Sequence, residues 1–112
     1  MERNELLDKF FEMKAKQMLL KCWLMAFAKP GYVNDEVGLC MEHMKVQSKL
    51  DSVEEEMLKL LQANETFFMS TDLEGYCQEY KVSMERQKEL SKELLGREYT
   101  IEDLVDKIDR RY

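Results

Sequence analysis

MLLKCWLMAFA, residues 18–28, is the stretch in which this chain concentrates its hydrophobicity, and Lys21 is its single charged residue. Its eleven residues are too few to cross a bilayer, which takes about 20 apolar residues. The residues before it are rich in Glu and Asp, whereas a secretory signal peptide begins with positive charge. The stretch therefore predicts a buried helix of a soluble, cytoplasmic protein.

Apolar residues upstream of this stretch recur at helical spacing and predict one long helix from about Asn4 to Ala28. The second half of this helix is apolar on nearly every side, which in a water-soluble protein indicates that it is covered on most sides. We expect two other helices of the chain to cover it in part and a second copy to complete the cover, because large apolar patches usually mark interfaces. The alternative is a monomer in which Trp23 is half exposed.

The residues after this helix predict a helical hairpin. Pro30 and Gly31 end the first helix, and Asn34 is a good N-cap for a second one. Ser52 and Glu55 form a capping box that could break this second helix, but its apolar seam continues across them and favours one continuous helix. The seam alternates at steps of four and three, as in coiled-coil-like packing, through Leu39, His43, Val46, Leu50, Val53, Met57 and Leu60.

The segment NETFFMS, residues 64–70, interrupts the helical pattern and predicts a connection between helices. Two interpretations of its aromatic residues remain open. Phe67 and Phe68 either tuck under the end of the bundle, as apolar clusters of loops usually do, or they present an anchor to a partner.

Capping signals predict two further helices. Thr71 with Glu74 forms a capping box that opens a third long helix, and Gly96 is well placed to end it. Thr100 with Asp103 caps a short last helix, which must dock because so short a helix is marginal alone in water. The sequence thus predicts one all-α domain over residues 1–112, a bundle of a helical hairpin, a third long helix and a short C-terminal helix.

The composition limits the classes of function. The chain has 45% hydrophobic and 36% charged residues, with one Pro and four Gly, as expected for amphipathic helices with little loop. Its net charge of −6 argues against broad binding to a phosphate backbone, which clustered Lys and Arg drive. The Lys and Arg residues of the first and third helices alternate with Glu, which is typical of solvated helices.

Residues with catalytic or metal-binding chemistry are sparse. The four glycines are scattered singly, so no phosphate-cradling loop is present, and one histidine cannot supply a zincin or di-iron motif. Cys40 and His43 share a helical face and with Cys22 and Cys77 make four soft ligands, but the usual close ligand pairs are missing. We expect reduced thiols, no catalytic residue, no cofactor and no metal.

These observations lead to a hypothesis of function. We expect a non-catalytic protein–protein interaction module, such as an adaptor, regulator or inhibitor, that forms a homodimer and binds a second, unidentified protein. No membrane and no small-molecule substrate are inferred. Aromatic anchors dominate interfaces, so the expected contact residues are Trp23, Phe27, Phe67 and Phe68. The alternative is a nucleic-acid-associated regulator whose dimer pairs two weak basic patches.

Overall fold

The computed structural model describes residues 3–27 and 37–109, with side chains for residues 4–27 and 41–109. Within those ranges the chain forms six α-helices and no strand, which confirms the predicted all-α bundle. The helices are α1 (Arg3–Phe27), α2 (Val37–Ala63), α3 (Glu65–Met69), α4 (Leu73–Tyr76), α5 (Met84–Leu95) and α6 (Ile101–Asp109).

The long helices α1 and α2 form the predicted hairpin. Phe10, near the start of α1, contacts Phe68, which follows the end of α2, with ring centroids 5.7 Å apart. Near the middle of both helices, Gln17 Nε2 donates to Glu54 Oε2 at 2.9 Å, so the two helices are antiparallel. The helix α2 is continuous through residue 52, as its seam predicts. The predicted cap at residue 34 and the turn at residues 29–31 lie outside the described residues.

The central helix of the bundle is α1, which packs against α2, α5 and α6. The helix α5 contacts α1 at Glu12, and α6 contacts it at Phe27. Cover by three helices of the same chain accounts for the wide apolar surface of its second half, and the additional cover by a second copy stays a prediction. The buried apolar residues are Leu6, Leu7, Phe10 and Phe11 in its first half, and Ala15, Leu19, Leu20, Cys22, Trp23 and Ala26 further along.

The predicted third long helix is wrong, because residues 73–95 form two helices, α4 and α5, separated by residues 77–83. The cap of α4 is Asp72, whose side chain accepts from Gly75 N at 3.1 Å. Thr71 donates instead to the carbonyl of Phe67 at 2.5 Å. Its side chain therefore bonds back to α3 and does not cap α4. The missed signal is Ser83, which caps α5 by accepting from the backbone N–H of residue 86 at 3.2 Å.

The predicted caps near the C-terminal end are confirmed. Gly96 ends α5 in the left-handed region at φ 76°, a conformation that glycine adopts without steric cost. Thr100 and Asp103 form a reciprocal capping box: Thr100 N donates to Asp103 Oδ2 at 3.0 Å, and Asp103 N donates to Thr100 Oγ1 at 3.1 Å. The helix α6 then docks on α1 of the same chain through the fully buried Leu104.

Two buried polar side chains of α5 hold the start of α6 in place. Gln87 Nε2 donates to the carbonyl of Val82 at 3.0 Å, while its Oε1 accepts from Ile101 N at 2.9 Å. Ser91 Oγ donates to the carbonyl of Arg97 at 2.6 Å and accepts from Tyr99 N at 3.0 Å. Each of these side chains donates one hydrogen bond to the backbone and accepts one from it, so together they fix the direction in which the chain leaves α5.

Candidate interaction surface

The four aromatic residues predicted as partner contacts do not form one surface. Trp23 is only 5% exposed, and its ring centroid lies 5.1 Å from that of Phe27. Phe27 is half buried, and α6 places Lys107 Nζ 4.5 Å from its ring centroid. The sequence therefore located Trp23 in a long apolar helix correctly, but the structure places its side chain inside the bundle.

The second aromatic pair lies near the opposite end of α1. Phe68 is buried against Phe10, and Phe67 is half buried with its ring centroid 5.1 Å from that of Phe68. Both pack against the core, which confirms that they tuck under the bundle, although they lie in the short helix α3 instead of a loop. Their neighbour Met69 is 80% exposed. Their partner-binding role, like that of Trp23 and Phe27, stays a prediction.

Exposed apolar side chains occur instead along the hairpin. On α1, Met18 and Met25 are seven residues apart, which is about two helical turns, so they lie on one side of that helix. On α2, Met44 and Leu58 are fourteen residues apart, about four turns, and also share a side. Met25, Met44 and Leu58 are 57%, 66% and 53% exposed, respectively.

These two apolar rows meet on the same face of the hairpin. Lys21 lies between Met18 and Met25 at helical spacing, and its Nζ is 3.7 Å from Glu54 Oε2 on α2. Glu54 in turn lies one turn before Leu58. We call this surface the hairpin face; it consists of Lys14, Met18, Lys21 and Met25 on α1 and of Met44, Asp51, Glu54, Glu55 and Leu58 on α2.

The charges of the hairpin face are separated by helix. The solvent-accessible charges of its α1 row are Lys14 and Lys21, both positive. Those of its α2 row are the carboxylates of Asp51, Glu54 and Glu55, and Glu55 also pairs with Lys59 one turn further along α2 at 3.4 Å. The Lys21–Glu54 pair is partly exposed on both sides, so it contributes little to the stability of the fold. The face therefore combines flexible apolar side chains with one basic and one acidic row.

A second surface, on the other flank of α2, is a groove lined by lysines. A cavity of 610 Å³ lies between α2 and the C-terminal end of α5, and a neighbouring one of 250 Å³ shares Lys49 and Leu94 with it. Lys49 Nζ donates to the Leu94 carbonyl at 2.5 Å, which offsets the partial negative charge at that end of α5. We call this surface the lysine groove; its charged lining residues are Lys16, Lys45, Lys49, Lys92, Glu42, Glu56 and Glu93.

The described thiols and histidine do not assemble into a reactive centre. Cys22 is buried, and burial raises the pKa of its thiol, whereas Cys77 is exposed. His43 is half buried, and the side chain of Cys40 lies outside the described residues. In the part of the chain that the structure describes, no three His, Cys, Asp or Glu side chains are placed to hold a metal ion.

One charged cluster ties α5 to α1. Arg86 donates to Glu89 Oε2 at 2.8 Å and to Glu12 Oε1 at 2.7 Å. The hydrogen bonds to Glu89 and then to Glu12 raise the pKa of the Arg86 guanidinium further above its usual value. The Glu12 bond crosses from α5 to the central helix, so this cluster positions α5.

The hairpin face was missed by the sequence analysis, which searched for aromatic anchors. Its signal was present in the spacing, because Met44, Asp51 and Leu58 follow one another at intervals of seven, and Met18 and Met25 do the same. Sequence periodicity groups residues by side, but only the packing of α5 and α6 shows which side of α1 stays open.

Comparison of the chain with known protein families, characterised proteins and solved structures finds no match. Among the described helices, none has an apolar stretch long enough to span a membrane.

Proposed function

We propose that this chain is a protein–protein interaction module, an adaptor, regulator or inhibitor, that acts as a homo-oligomer through its hairpin face. The observation that carries the proposal is the exposure of Met25, Met44 and Leu58 on one face of the α1–α2 hairpin. Methionine side chains are flexible and polarizable, and they are common on surfaces that adapt to a partner.

The use of the buried polar groups supports a role without catalysis. Gln87 and Ser91 bond to the backbone of the α5–α6 connection, and Thr100 caps α6. Gln17 bonds to Glu54 and accepts from Lys14 at 3.0 Å. Each of these groups holds helices together, and the two free thiols of Cys22 and Cys77 fit the reducing cytoplasm in which we propose that the protein works.

The solution mass tests the proposal. We expect light scattering to give a multiple of the 13.4 kDa chain mass at micromolar concentration. Replacing Met25 and Met44 by Glu on the hairpin face should shift the protein to the monomer, because it puts charge into an apolar contact. The matched control is Met69→Glu, because Met69 is 80% exposed and lies outside the hairpin face. A monomeric wild-type chain at millimolar concentration would refute the homo-oligomer.

A second candidate is the nucleic-acid-associated regulator, which the lysine groove favours. Lys45, Lys49 and Lys92 line one cavity, and an oligomer would bring several such grooves onto one assembly. Phosphate contacts make binding strongly salt-dependent, so this function predicts retention on DNA or heparin that salt abolishes. Equal elution of the wild type and a Lys45→Glu, Lys92→Glu variant would exclude it.

A further inference from the structure

We propose that two copies of this chain pair through the hairpin face about a two-fold axis parallel to the helices, so that α1 of each copy lies against α2 of the other. This inference rests on the proposed homo-oligomer and specifies its geometry. The occupant of the hairpin face is then a second copy, and the argument for it is charge complementarity.

The two rows of the hairpin face are complementary to each other. The α1 row carries Lys14 and Lys21, and the α2 row carries Asp51 with two neighbouring glutamates. Because the surface carries both a basic and an acidic row, each row can face the opposite row of an identical surface. A closed dimer uses such self-complementary patches, in which the same residues contribute from both copies.

Two arrangements of a two-fold dimer bring the hairpin faces together. If the axis crosses the helices at a right angle, α1 packs on α1 and α2 on α2, so lysines face lysines and carboxylates face carboxylates. If the axis runs along the helices, α1 packs on α2 of the second copy and every charged row meets its opposite. Like charges across an interface cost several kcal/mol, so the charges select the second arrangement.

The contacts within one hairpin show which residues of α1 and α2 lie at the same height along the helix axes. We call this height the level of a residue. Glu54 bonds to Gln17 and pairs with Lys21, so it lies level with that turn of α1. An axis along the helices preserves this level and brings Lys21 of one copy to Glu54 and Asp51 of the other. Helices rise about 1.5 Å per residue.

The same level places the apolar residues opposite one another. Met25 lies about 9 Å further along than the Glu54 turn, near the level between Met44 and Asp51 of the second copy. Lys14 lies about 8 Å in the other direction, level with Leu58 of the second copy, and its methylene groups can cover that side chain. In this arrangement Met25 of one copy approaches Met44 of the other, and Lys14 of one copy covers Leu58 of the other.

Charge reversal tests this geometry. Lys14→Glu with Lys21→Glu makes both rows acidic, and we expect the dimer dissociation constant to rise at least about tenfold. Adding Asp51→Lys and Glu55→Lys to the same chain makes the α2 row net positive, while Glu54 is kept because it bonds to Gln17 within the chain. Dimerisation should then return to within about threefold of the wild type, because each row again meets a row of opposite net charge. Analytical ultracentrifugation measures all three constants.

A matched control separates contact from overall charge. Lys9→Glu with Lys81→Glu changes the net charge by the same amount at exposed residues outside the hairpin face, and it should leave the dissociation constant within about threefold of the wild type. Circular dichroism and the emission of Trp23 check that each variant is folded. The Asp51→Lys, Glu55→Lys chain should be weakened like the α1 variant, so the test stands even if one variant does not fold.

The outcomes distinguish the two proposals. A wild-type dimer that tolerates reversal of the α1 row, or a dimer that the four-residue exchange does not restore, overturns this geometry and leaves the homo-oligomer intact. A wild-type monomer removes the homo-oligomer and the geometry together.

Discussion

Leu104 is the residue on which the docking of α6 depends, and we predict that Leu104→Ala lowers the free energy of unfolding by about 3 kcal/mol. The side chain is fully buried, and every other described side chain of α6 is partly or fully exposed. The nine residues of α6 are fewer than the roughly 12 that an isolated helix needs in water. The helix therefore persists only while it is docked.

The expected magnitude follows from burial. Leu→Ala substitutions in cores cost about 2 to 5 kcal/mol, the sum of lost transfer free energy and the cavity left behind. Leu104 is fully buried on the helix that packs against α1, so both terms apply, and the expected loss lies near the middle of that range. Against a typical total stability of about 5 to 15 kcal/mol, such a loss is large.

Urea unfolding followed by tryptophan fluorescence measures this cost, because Trp23 is the sole tryptophan. Its partner Phe27 lies under Lys107 of α6, so undocking should also shift the emission of Trp23 to longer wavelength before global unfolding. The control is Val105→Ala, on the exposed side of α6, which should cost less than about 1 kcal/mol. Equal costs for the two variants at the same protein concentration would refute the role of Leu104.

Three further predictions concern single contacts. Gln87→Glu keeps the acceptor for Ile101 N but loses the donor to Val82 O, so urea unfolding should show a loss of about 1 to 3 kcal/mol; an unchanged midpoint would contradict it. The hydrogen bonds from Thr100 lower the pKa of Asp103, so its stabilising effect exists above the unfolded pKa of about 3.9 and disappears as pH falls through the folded pKa. The stability difference between the wild type and Asp103→Asn should thus be about 0.3 to 1 kcal/mol at pH 7 and should shrink as the pH falls below the unfolded pKa; a difference that grows in acid would refute this sign. In a Cys40→Ser background, a thiol reagent should modify the exposed Cys77 at once and the buried Cys22 only on unfolding; rapid loss of both thiols would contradict the burial of Cys22.

Local signals predicted the helices that have strong caps or unbroken seams. Gly96 and the Thr100–Asp103 pair act where their neighbours in sequence indicate, because a cap involves residues within one turn. The same reasoning failed between Thr71 and Ser83, because this segment contains several residue types that can cap a helix, and the sequence does not show which of them does. In the structure, Asp72 is the N-cap of α4 and Ser83 is the N-cap of α5.

The candidate surface was harder to predict because it depends on packing between distant segments. The wide apolar surface of α1 is visible in the sequence, but a helix that covers it can be distant in the chain, as for Phe27 and Lys107, which are 80 positions apart. The sequence alone favours Trp23 as an exposed anchor for a partner, because it does not show that α6 packs on that part of α1. Met18 and Met25 look like core until the structure shows that the helices around α1 leave their side open.

The central position of α1 also has a consequence for biosynthesis. Among the described helices α1 is synthesised before its partners, and α6, one of those partners, begins 74 positions after the end of α1. At about 5 to 20 residues per second, translation leaves that flank of the nascent helix without its final partner for about 4 to 15 s. During that interval Leu19, Trp23 and their neighbours leave apolar surface exposed on the growing chain. Exposed apolar surface of this kind promotes aggregation, and we expect chaperones to bind the nascent hairpin.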